Sequence, residues 1–75
     1  MKTATYQAGA RFPDCYARLI EIWYLLEHVR KSISGECSGT ADEVYIEILA
    51  QADDDVAAAQ RLLRRATERI LKHHQ

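Results

Sequence analysis

Apolar residues recur along this chain in alternating steps of four and three. The first series runs Cys15, Leu19, Ile22, Leu26, Val29, Ile33, which is the spacing of a helix with a heptad seam. Tyr16, Ile20 and Trp23 lie beside that seam, and Tyr24 and Leu25 carry apolar character further round. In the segment LIEIWYLL, residues 19–26, only Glu21 is charged. The helix therefore has more apolar surface than one neighbouring helix can cover.

SGECSGT, residues 34–40, holds two of the three glycines. Gly35 reads as the C-terminal stop of the first helix, and Cys37 as a loop residue. Thr40 followed by Glu43 fits a capping box, which starts a second helix near Ala41. Its seam is Tyr45, Leu49, Ala52, Val56, Ala59, Leu63, Ala66, Ile70, with no glycine or proline before Gln75. A helix over 41–73 would be about 50 Å long and the first about 31 Å, so a hairpin of the two leaves an overhang.

Asp53, Asp54 and Asp55 interrupt this second run with residues of poor helix propensity. The seam nevertheless keeps its phase across them, which favours one continuous helix over a break into two. Pro13 suits the first turn of the first helix, where its missing N–H costs nothing. Residues 1–12 show no period and read as a flexible or loosely docked arm. The expected architecture is all-α: an antiparallel hairpin of two long helices over 13–75, three if the chain breaks at Asp53–Asp55, dimerising into a four-helix bundle.

Alanine at every seventh position, Ala52, Ala59 and Ala66, allows close approach of a neighbouring backbone. Together with Leu49, Val56 and Leu63 these residues form the expected dimer seam. Charge divides along the same helix. Residues 41–55 carry six acids and no cation, whereas 56–75 carry Arg61, Arg64, Arg65, Arg69 and Lys72 against Glu68 alone. The division suits the helix macrodipole. It would also match acidic half to basic half if two copies of the helix lay antiparallel.

Seventy-five residues make one domain with a thin core, which is a further reason to expect a homodimer. Hydrophobic residues at 48% with one proline exclude a disordered chain, and a net charge of −1 excludes wholesale coating of nucleic acid. No apolar run reaches the roughly 18 residues of a membrane span, and MKTATYQAGARF lacks an apolar signal core. The expectation is a cytoplasmic protein without a membrane partner. Its two cysteines would be free thiols, Cys15 as a small core residue and Cys37 as the more accessible.

Candidate chemistry is sparse. His28, His73, His74, the cysteines and the aspartates supply ligand types, but adjacent His73 and His74 diverge by about 100° on a helix, whereas ligands need i, i+3 or i, i+4 spacing. No cofactor or metal is expected. Arg69 and His74 match the Arg-x4-His spacing of some helical ribonucleases in that fragment alone, and no nucleophile or phosphate-loop motif is present. The chain reads as non-catalytic.

Two kinds of partner remain. Tyr16, Ile20, Trp23 and Tyr24 exceed what the first seam needs and would anchor a protein partner. Alternatively, Arg61, Arg64, Arg65, Arg69 and Lys72 form a basic ridge for nucleic acid. The segment YIEILAQ, residues 45–51, with RLIEI before it, resembles the corresponding part of copper-sensing repressors of the CsoR type. That resemblance implies a dimeric or tetrameric helical protein that binds DNA. The departures are that Tyr45 stands where the family has its first ligand cysteine, that the downstream His-x3-Cys is absent, and that the loop at Gly35 is longer. The principal expectation is a small interaction or regulatory protein acting through homodimerisation and protein binding, with the nucleic-acid-binding regulator as the alternative.

Overall fold

A computed structural model describes residues 13–73. Two helices make up the fold, α1 over Asp14–Ser38 and α2 over Glu43–His73, packed along their length as an antiparallel hairpin. Its extents are 54 × 23 × 11 Å, so the thinnest dimension is that of one layer of helices. A single layer leaves two broad faces open. Among the described residues only Leu49 and Gln60 are buried, at 8% and 4% exposure, and none is fully enclosed. The expected arm over 1–12, and His74, lie outside the described residues.

The second helix follows the expectation closely. It is continuous through Asp53, Asp54 and Asp55, because the half-buried row on either side of them keeps its seven-residue phase. Its N-terminus differs by one residue pair from the capping box. Asp42 is the cap, its Oδ1 accepting from the Val44 and Tyr45 amides at 3.1 and 3.2 Å, while Thr40 Oγ1 accepts from the Asp42 amide at 3.2 Å. Two of the orphan donors of the first turn are thereby satisfied by a carboxylate at the positive end of the helix.

The first helix departs from expectation at both ends. Pro13 precedes its first turn in extended geometry (φ −66°, ψ 158°), and the Tyr16 amide closes onto the Pro13 carbonyl at 3.0 Å. At the other end α1 runs through Gly35 to Ser38. The stop is Gly39, whose amide donates to the carbonyls of Gly35 and Glu36, both at 3.1 Å. A helical glycine costs up to about 1 kcal/mol relative to alanine, but the last turn is held by Cys37, half-buried on the hairpin side, and by Glu36, which accepts from the Tyr45 hydroxyl. The longer α1 also shortens the expected overhang to about one turn. With Arg30 opposite Asp53 and Trp23 opposite Gln60, Asp14 comes level with the last turn of α2.

The phase of α1 is shifted by one residue on alternate steps of the seam. Leu19, Leu26 and Ile33 face α2 as expected, but the positions between them are Tyr16, Trp23, Arg30 and Cys37 rather than Cys15, Ile22 and Val29. Trp23 brings more surface to the interface than isoleucine, and Arg30 is drawn inward by a carboxylate. The same shift corrects both cysteine expectations: Cys15 is exposed and Cys37 is half-buried, and both are free.

Candidate functional site

At the centre of the hairpin a polar network replaces part of the apolar seam. Arg30 grips Asp53 through two bonds, Nε to Oδ1 at 3.0 Å and Nη2 to Oδ2 at 3.1 Å. Its Nη1 donates to Gln60 Oε1 at 3.3 Å. Gln60 Nε2 in turn donates to the Trp23 carbonyl at 3.2 Å and to Glu27 Oε1 at 3.0 Å. Arg30 holds the Asp53 carboxyl below the usual carboxylate range, chiefly through their hydrogen bond, and Asp53 raises Arg30 in the same way. Bidentate geometry makes this a directional clamp between the helices.

Search by apolar period passes over Arg30, Glu27 and Gln60 because they are polar. A second signal does point to them: Trp23 and Arg30 are seven apart, as are Asp53 and Gln60. Each pair therefore shares one helix face. Asp53 is thus part of the hairpin contact.

Two contacts mark the two sides of the layer. Tyr45 donates to Glu36 on one side, and Arg64 lies over the Trp23 ring on the other, 5.8 Å from its centroid. Counting at about 100° per residue from Glu36 places Val29, Ile22 and Leu25 on the Tyr45 side of α1. The same count from Tyr45 places Ile48, Ala52, Ala59 and Ala66 on that side of α2, with Val44 and Leu62 at its outer edge. Nine large apolar side chains are exposed among the described residues, and seven fall on this side. Leu25 and Leu62 are 61% and 63% exposed. The apolar surplus of the sequence is therefore gathered onto one face.

The opposite face carries the other two, Ile20 and Tyr24. With Trp23, Leu63, Arg64 and Thr67 they line a groove of about 240 Å³. Tyr24 stands edge-on to Trp23 at 5.2 Å and 80°. Of the four expected anchor residues, three share this groove, while half-buried Tyr16 lies a helical turn beyond it.

The expected dimer-seam residues of α2 fall in two rows. Leu49, Val56 and Leu63 pack toward α1, whereas Ala52, Ala59 and Ala66 sit half-buried at the edge of the apolar face. The basic ridge is also divided. All five residues are exposed, with Arg64 lying over the Trp23 ring and Arg61, Arg65, Arg69 and Lys72 turned away from it. Among the described residues no group of three or more His, Cys, Asp or Glu side chains is placed to hold a metal ion, and no helix is long and apolar enough to cross a membrane.

The chain matches no protein-family model, no curated protein and no solved structure. The likeness to CsoR-type repressors rests on the quoted segments alone.

Proposed function

We propose that this is a small non-catalytic interaction or regulatory protein that homodimerises through its apolar face and offers the opposite face, with the Trp23 groove, to a protein partner. One observation carries the reading: the seven exposed apolar side chains on one side of a one-layer hairpin. An exposed apolar face of this extent marks an association surface. From the length of α1 and the 23 Å width, the face measures roughly 800 Å², close to the ~800 Å² per partner of a standard interface. Covering it with a second hairpin gives each chain a core between four helices.

The groove face suits a partner that brings an apolar side chain with a carboxylate beside it. Ile20, Trp23 and Tyr24 supply apolar and aromatic contact, and Arg64 supplies the charge at its rim.

The exposure of Arg61, Arg65, Arg69 and Lys72 favours a second reading, nucleic-acid binding along α2. Solution mass across a concentration series, by sedimentation at low and high salt, tests the first reading: twice the chain mass supports it, and a monomer at micromolar concentration overturns it. Reversing Arg61 and Arg65 together separates the second. A nucleic-acid binder then loses affinity and part of its salt dependence, whereas a protein-binding dimer has no nucleic-acid affinity to lose.

A further inference from the structure

Two rows on the apolar face, Ile22, Leu25 and Val29 on α1 and Ala52, Ala59 and Ala66 on α2, are each centred on one level of the hairpin. On α1, Ile22 and Val29 stand three and four residues either side of Leu25, and on α2, Ala52 and Ala66 stand seven residues either side of Ala59. These two midpoints are independent in sequence, yet the hairpin brings them level. Arg30 faces Asp53 and Trp23 faces Gln60, so Leu25 comes opposite residues 58–59. The coincidence is within about one residue, or 1.5 Å of rise.

We infer that the homodimer has its two-fold axis perpendicular to the helices at the level of Leu25 and Ala59, with α2 of one copy lying antiparallel on α2 of the other and α1 on α1. The inference rests on the homodimer reading and specifies the occupant and the geometry of that face. Three features of the chain fit this axis. Rows centred on a two-fold meet their own copies across it, as in an isologous interface. The alanine row brings Ala52 of each copy against Ala66 of the other with Ala59 between, so the α2 backbones can approach closely. Charge also matches, because the acidic half of each α2 then lies along the basic half of its partner, with Asp55 within about a turn of Arg65 of the second copy.

The other face-to-face two-fold runs along the helices. It stacks α1 of one copy on α2 of the other and separates the two alanine rows.

Single-cysteine cross-linking distinguishes these arrangements, using the full chain with Cys15→Ser and Cys37→Ser. A residue on the axis meets its own copy, while one seven residues away is about 21 Å from its copy along the helix, far outside disulfide reach. Ala59→Cys should therefore cross-link to itself under mild oxidation, and Ala52→Cys should do so at least about ten-fold less. Ala52→Cys mixed with Ala66→Cys should recover the cross-link. Helicity and sedimentation mass of each variant are measured alongside. A dimeric mass with Ala59→Cys no more reactive than Ala52→Cys overturns the axis and leaves the homodimer standing. A monomeric mass of the parent protein overturns both.

Discussion

Arg30 and Asp53 hold each other by two parallel bonds across the middle of the hairpin, in a contact that is half-exposed on both sides. The arginine lowers the folded-state pKa of Asp53 below its ordinary value. A depressed carboxyl contributes stability that is fully present above the unfolded-state pKa and is lost as pH falls through the folded value. Wild type should therefore lose stability below about pH 4 with a component that Asp53→Asn lacks. Thermal melts of both proteins from pH 7 to pH 3 check this; parallel curves would mean the pair contributes nothing measurable.

Gln60 is the most buried polar side chain described, and it serves three partners at once. Replacing it by leucine keeps the volume and leaves one Arg30 donor and the Glu27 carboxylate without that partner. A loss of about 1 to 3 kcal/mol is expected, measured by urea denaturation. Gln60→Glu should be milder toward Arg30 but introduces a repulsion with Glu27.

Gly35 offers a test with the opposite sign. It lies inside α1, and a Cβ built there meets nothing within 4 Å. Gly35→Ala should stabilise the hairpin by about 0.5 to 1 kcal/mol through the unfolded chain and helix propensity. A destabilised variant would show that the helix ends at Gly35 after all.

Asp42→Ala removes the acceptor for the Val44 and Tyr45 amides and should cost about 1 kcal/mol. Thr40→Ala, which touches only the Asp42 amide, should cost less. Equal losses would point to Thr40 as the cap.

Ala59→Leu puts a larger side chain on the apolar face. Overpacking there should weaken association by about 1 to 3 kcal/mol, read from the dissociation constant by sedimentation. An unchanged constant would remove the alanine row from the interface.

The comparison of sequence and structure turns on which residues betray themselves by polarity. The α2 seam was legible in part: Leu49, Val56 and Leu63 are apolar and keep their phase through three aspartates, whereas Asp53 and Gln60, which complete the contact with α1, are polar and stand where the pattern offered Ala52 and Ala59. The α1 seam was not, because two heptad rows sharing Leu19, Leu26 and Ile33 both look acceptable. Apolar count favours the row of Ile22 and Val29. The structure takes the row with Trp23 and Arg30, since a cross-helix carboxylate, invisible to a one-helix pattern, makes the arginine welcome there. The rejected row becomes part of the exposed apolar face. Gly35 misled for a related reason: whether a glycine ends a helix depends on what the following turn touches, here Tyr45 and the α2 side.

A hairpin whose helices finish within about one turn of each other delivers residues 14 and 73 to one pole and the turn at 39–42 to the other. In the antiparallel dimer inferred above, the poles alternate, so anything attached beside residue 14 in one copy sits beside the turn of the second. Two such attachments would be held apart by about 33 Å, twice the rise of the eleven residues between residue 14 and the axis at Leu25, as cargo at the two ends of a strut. Fluorophores placed there should report separation rather than contact, and the molecule would act on its surroundings as a spacer of set length.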